Sequence, residues 1–148
     1  MPKNRSMRPR TRLDPVIKLE ERTEQRRLLE LAEAGRNVSS AREALTDAQI
    51  AATTDHRRTS TALDWQLAEL AHTRALHEVR SAEHAVQSAT EAVGASRALY
   101  AKAHSKAEAL RRVSDARAGE IIAQRQKADS REMDELGLLR FAGGAKPS

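Results

Sequence analysis

The sequence predicts an all-α protein: an elongated antiparallel two-helix coiled coil, folded as an α-hairpin with a short intervening helical segment. Three observations carry this. Small and apolar residues recur at alternating spacings of 3 and 4 in two long stretches, the pattern that lets one helix bury a stripe against another. All four prolines sit near the ends, at Pro2, Pro9, Pro15 and Pro147, so nothing between them breaks a helix. With one Trp, one Tyr and one Phe in 148 residues and 32% charged residues, the chain lacks the side chains that fill a globular core.

In chain order, residues 1–12 read as a disordered basic arm, because Pro2 and Pro9 oppose a helix and nothing apolar offsets the entropy of ordering. Asp14 followed by Pro15 marks a helix start, with Asp14 able to cap free amides and Pro15 tolerated at the first helical position. Helix 1 is expected over about 14–54. Its stretch from Glu20 to Arg27 is almost wholly charged, so pairing should be weakest there. Thr53, Thr54, Asp55, Thr59, Ser60 and Thr61 place a turn at 55–60, and Thr61 with Asp64 resembles a capping box for helix 2, expected over about 61–141. Gly143 and Gly144 stop it, which leaves a coiled-coil hairpin at 13–142 and a disordered tail at 143–148. Gly35, Gly94 and Gly119 fall inside helices, at about 1 kcal/mol each relative to Ala, as close-approach points or as tolerated residues.

The seam of helix 2 runs through Ala75, Val79, Ala82, Val86, Ala89, Val93, Ser96, Tyr100, Ala103, Ala107 and Leu110. Leu31, Ala34, Val38, Ala41, Leu45, Ala48 and Ala52 repeat it on helix 1. A tight turn near residue 60 makes facing residue numbers add to about 120, setting Leu45 against Ala75 and Ala41 against Val79. Large then faces small in nearly every layer, whereas an in-register parallel homodimer would alternate thick and thin layers. A slip of a whole heptad preserves the match, so the pattern fixes the face and leaves the register open. Beyond Leu110 the heptad passes through Ser114, Arg117, Ile121 and Gln124, turning polar, and the longer helix 2 overhangs. Its end, with Met133, Leu136, Leu138, Leu139 and Phe141, invites another protein.

The net charge of +5 is concentrated in Lys3, Arg5, Arg8, Arg10 and Arg12, which leaves 21 basic and 21 acidic residues elsewhere. That arm is a candidate phosphate contact. The balanced body and the lack of aromatic platforms favour a solvated tail or an acidic protein partner, and no nucleic acid is expected. The absence of cysteine removes disulfides and thiolate chemistry and suits a reducing compartment. No apolar run is long enough to span a membrane, and the basic N-terminus lacks an apolar signal core, so a cytoplasmic location is expected. The five histidines, at 56, 72, 77, 84 and 104, form no ligand pair with a helpful carboxylate. With no phosphate loop or nucleophile setting, no enzymatic activity, catalytic residue, metal or cofactor is expected.

Leu63, Leu67 and Leu70 follow one another at 4 and 3 on the back of helix 2, and Arg74 and His77 continue that face. Either the segment folds back as a short separate helix and buries these leucines, or the stripe binds a partner. Trp65, on the seam side, anchors the local structure in both readings.

The opening motif Arg12-Leu13-Asp14-Pro15-Val16-Ile17-Lys18-Leu19-Glu20-Glu21-Arg22 and the closing motif Arg131-Glu132-Met133-Asp134-Glu135-Leu136-Gly137-Leu138-Leu139-Arg140-Phe141 resemble those of the flagellar export protein FliJ family. The injectisome stalk proteins of type III secretion are relatives of that family. Length, basic start and helical composition agree over nearly the whole chain. The resemblance implies a hairpin like the central stalk of rotary ATPases, seated in a hexameric export ATPase whose assembly and activity it promotes. It further implies contact with the membrane export gate, escort of export chaperones, and a cytoplasmic position peripheral to the inner face of the cell membrane. By position, Leu13, Ile17, Arg131, Met133, Asp134, Glu135 and Leu136 would face the ATPase, and Leu63, Leu67, Leu70, Arg74 and His77 would face the gate. Ser130 and Arg131 stand where Gln-Lys is usual, and Gly137 replaces a usual Ala. A generic coiled-coil tether or scaffold, and a basic-tailed nucleic-acid-associated coiled coil, are the alternatives.

Overall fold

The structure, a computed structural model, describes residues 8–54 and 61–144. Two helices account for nearly all of them: α1 at Asp14–Thr53 and α2 at Ala62–Gly144, packed together as an all-α hairpin with no strand among the described residues. The sequence expectation for the turn at 55–60 lies outside the described residues, as do residues 1–7 of the arm and 145–148 of the tail. Gly143 and Gly144 close α2 instead of opening the tail.

The two helix starts share one device, Thr-x-x-Asp. At α2 the Asp64 amide donates to Thr61 Oγ1 at 3.2 Å, the threonine half of the capping box that its spacing suggested, and the Thr61 hydroxyl donates to Asp64 Oδ2 at 2.5 Å. At α1 Asp14 plays the acid of the pair and not the cap. The Thr11 amide donates to Asp14 Oδ2 at 3.1 Å and the Thr11 hydroxyl to Oδ1 at 2.9 Å. A carboxylate three residues in reaches back to the capping residue, so the chain turns into α1 at Thr11.

The chain divides into two units, the first Met1–Glu21 with Ser105–Ser148, the second Arg22–His104. In the second unit the least exposed α1 positions from 31 onward are Leu31, Ala34, Val38, Ala41, Leu45, Ala48 and Ala52, with Gly35 beside them. On α2, from residue 72, they are His72, Ala75, Val79, Ala82, Val86, Ala89, Val93, Ser96, Tyr100 and Ala103, with His104 beside them, so the predicted seam is the packed face. The register differs from expectation by one heptad. Glu24 Oε1 meets His104 Nδ1 at 2.5 Å, so facing numbers add to about 128. Leu45 is then set against Ala82, Ala41 against Val86 and Val38 against Ala89, large still against small.

That shift changes the start of α2. Thr53, the last residue of α1, is set opposite Arg74, so the preceding α2 turns extend past the end of α1. No short separate helix forms: α2 is continuous from Ala62, and Leu63, Leu67 and Leu70 are 65%, 56% and 67% exposed. Trp65 is 54% exposed and is not the local anchor expected of it; on the turns around it the less exposed positions are Asp64, Ala68, Glu69 and His72.

In the first unit the helices are antiparallel, since Asp14 meets Ser114 and, further along α1, Glu20 meets Lys106. Pro9, Ile17, Ala107, Ser114 and Ala118 are its buried positions, with Ala107 and Ser114 fully enclosed. Residues 8–12 depart from the disordered arm expected of them. Pro9 is buried, and Arg8 forms an ion pair with Asp115 at 2.7 Å and a hydrogen bond to Ser114 Oγ at 2.8 Å, so this strap prolongs the seam beyond α1. Seam spacing also slips. Ala118 is buried where the heptad would have placed Arg117, which stays exposed because a guanidinium is costly to desolvate.

The charged stretch expected to pair weakly is tied by two ion pairs and a hydrogen bond. In the first unit Lys106 pairs with Glu20 at 2.8 Å and Arg111 with Glu21 at 3.1 Å; in the second His104 meets Glu24 and stacks on Tyr100 at 5.8 Å between ring centres. The alanines at 103 and 107 leave room for the acid stems, whose carboxylates reach outward to cations on the α2 flanks.

Candidate interaction surfaces

Ser114 is the hub of a polar cluster inside the first unit. Its Oγ accepts from Arg8 Nη2, lies 2.9 Å from Thr11 Oγ1, and donates to Asp14 Oδ1 at 3.3 Å. Each hydroxyl has one proton, so the three oxygens of Thr11, Ser114 and Asp14 can all be satisfied only because the carboxylate accepts and Arg8 donates. The Thr11 hydroxyl and amide, helped by Ser114 and the Arg8 charge, hold the Asp14 carboxyl below its ordinary value of 3.8.

A cleft of 590 Å³ opens beside the strap, with Lys18, Glu21, Arg111 and Asp115 among its walls. Its carboxylates are engaged, Glu21 by Arg111, Asp115 by Arg8 and Asp14 by the hydroxyl cluster, which leaves no acid and base poised over a common point. No group of three His, Asp or Glu able to hold a metal occurs among the described residues.

The sequence-predicted site residues fall into three environments. Ile17 is 8% exposed and Leu13 half-buried, so both belong to the seam and present little surface to another protein. Arg131, Met133, Asp134, Glu135 and Leu136 lie on the final turns of α2, where every residue from 122 to 144 is exposed. Met133 is 70% exposed, Leu136 56% and Phe141 84%, far more apolar surface than a lone solvated helix needs. Leu110, the seam neighbour of Ile17, precedes Arg131 by 21 residues, about 30 Å of helix, so the two halves of this predicted set do not converge. Leu63, Leu67, Leu70, Arg74 and His77 form an exposed stripe in the second unit, with Arg74 reaching Glu78 at 3.3 Å on the same helix.

The Ser114 cluster escaped the sequence reading. Its one signal was a serine at a seam position facing a Thr-x-x-Asp helix start, and only a register turns those two facts into a contact.

Against known families, the family model described as Flagellar FliJ protein matches residues 9–146. Neither the curated proteins nor the solved structures gave a significant match.

Proposed function

The chain belongs to the flagellar FliJ family, and from that premise we propose that it is the stalk of the export machinery, inserted into the hexameric export ATPase. Membership makes it a component of flagellar protein export, and a non-catalytic role is part of the proposal. The match over residues 9–146 is the observation that carries the finer reading. The exposed α2 end supports it: Met133 and Leu136 give an apolar contact, and Arg131, Asp134 and Glu135 give charges of both signs beside it. Such a tip meets the subunits of a ring unequally, and unequal contact biases which nucleotide state each subunit adopts, promoting assembly and turnover. Leu13 and Ile17 act indirectly, by holding α1 on α2.

The second surface of the proposal is the stripe of Leu63, Leu67, Leu70, Arg74 and His77, offered to the membrane export gate, with export chaperones as further partners. The gate would bring the protein to the inner face of the membrane, since no helix among the described residues is long and apolar enough to cross it.

Purified protein mixed with the export ATPase tests this through ring assembly and ATP turnover. The Met133→Asp, Leu136→Asp double variant should keep its helicity, because both side chains are exposed, and should weaken ATPase binding at least tenfold. Full stimulation by that variant would rule out the α2 end as the contact, and no binding by the unaltered protein would favour a generic tether. Replacing Leu63, Leu67 and Leu70 by Ser should remove gate binding alone. A fall in helicity instead would make the stripe structural.

A further inference from the structure

We infer that the Ser114 cluster is the device that selects one heptad register for the hairpin. The apolar seam cannot make that choice. Setting Leu45 against Ala82 or against Ala75 keeps a large residue over a small one, and the same holds for the layers around it. The cluster is not periodic in this way. If α1 moved by seven residues in one direction, Asp14 would come over Ala107, which is wholly enclosed; in the other it would come over Ile121. Either slip puts a carboxylate against an apolar seam position and leaves the fully buried Ser114 hydroxyl without Thr11, Asp14 or Arg8. A buried polar group stripped of its partners disfavours a slipped state far more than a lost apolar contact would. A single polar seam residue specifies register in other coiled coils for the same reason.

The strap is part of the device. Arg8 is held on α2 from both sides, at Ser114 Oγ and at Asp115 Oδ1, and Pro9 is buried beside them. A slip would have to break both Arg8 contacts and uncover Pro9. The ion pairs of Glu20 with Lys106 and Glu21 with Arg111 are less selective, because Lys106 and Arg111 carry their charge on long flexible stems that lie partly in solvent and find a new carboxylate readily. The same holds for the exposed pair of Arg8 with Asp115, so the selectivity of the strap rests on the Arg8 bond to the buried Ser114.

The absence of cysteine makes the test direct, since any introduced pair is the only one. Ile17→Cys with Leu110→Cys reports the register described here. Ile17→Cys with Ala118→Cys, and Leu13→Cys with Ala107→Cys, report slips of about one heptad in the two directions, because a disulfide forms only between closely facing positions and Ala118, not Arg117, is the seam residue there. In the otherwise unaltered chain the first pair should oxidise at least tenfold faster than either of the others. Adding Ser114→Ala with Asp14→Ala should keep the helical content, since both ends of the buried contact are removed together, and should lower that preference at least tenfold. Adding Glu20→Gln with Lys106→Gln should leave it unchanged. An unchanged preference in the Ser114, Asp14 background overturns the inference, as does an equal fall in the Glu20, Lys106 background. Loss of helicity in the first background also overturns it, making the cluster a prop for stability and not a choice of register.

Discussion

The two units are built from the same two helices, yet their chemistry differs. The second, Arg22–His104, has eleven basic and eleven acidic residues; the first has fifteen basic and ten acidic, so the whole net charge of +5 resides there. The second packs a repeating seam of Ala, Val and Leu that is mostly half-exposed. The first encloses Ala107, Ser114 and Ala118 almost fully, gathers three polar side chains, Arg8, Thr11 and Asp14, around one serine, and then leaves the final turns of α2 bare. Repetition gives a seam strength without position, and a buried polar contact gives position at some expense of strength.

Charge inserted into each seam is the severest test of that contrast. Ala107→Asp places a carboxylate at a fully enclosed site next to Glu20 and Glu21, and should destabilise by about 3 kcal/mol or more in urea unfolding. The equivalent Ala82→Asp in the second unit, where the seam is half-exposed, should lose less than half of that. Equal losses would mean that the two seams are equally closed.

Truncation comes next. Leu45→Ala should lose about 1–2 kcal/mol, below the range for fully buried leucines because Leu45 is only half-buried. A glycine change acts in the opposite direction. A Cβ added at Gly94 or Gly35 meets nothing within 4 Å, so neither serves a close approach of backbones. Gly94→Ala should therefore raise stability by about 1 kcal/mol, read as an increase in thermal midpoint. A decrease would reveal packing on that face.

Acid should separate the units by a smaller amount. The Asp14 carboxyl is lowered in the folded state, so its contribution is complete above its unfolded value of 3.8 and is lost as the pH falls through the lowered folded value. Asp14→Asn should remove that part of the acid sensitivity. A thermal midpoint profiled below pH 4 that is identical in the two proteins would show that the hydroxyl cluster has no preference for the ionised form.

Much of the fold was legible because helix periodicity is a local property. Val79, Val86 and Val93 share a face whatever stands opposite, and Thr61 caps the Asp64 amide within four residues. The family was legible at the two end motifs. Of the candidate surfaces only exposure was legible: Met133, Leu136 and the stripe at Leu63 read as apolar residues off the seam, and they are exposed, while the choice between a buried fold-back and an open stripe at Leu63 was left to the structure. Leu13 and Ile17 read as contact residues from their motif and lie in the seam, because a motif carries identity and not burial. The strap was read as disordered from its prolines and charges, since the arginines gave no sign of the Ser114 and Asp115 partners waiting about 100 residues away.

By itself the sequence determined that this chain makes two helices, where each begins, which face of each is buried and that large residues meet small ones. These follow from interactions within four residues of chain and from a repeat that any partner helix must match. Only the tertiary structure decided which heptad faces which, that residues 8–12 are folded onto α2, and that Leu63, Leu67 and Leu70 extend past the end of α1. Those choices turn on contacts between residues far apart in the chain, and a seam that repeats every seven residues is nearly indifferent among them until a buried serine, a carboxylate and an arginine meet.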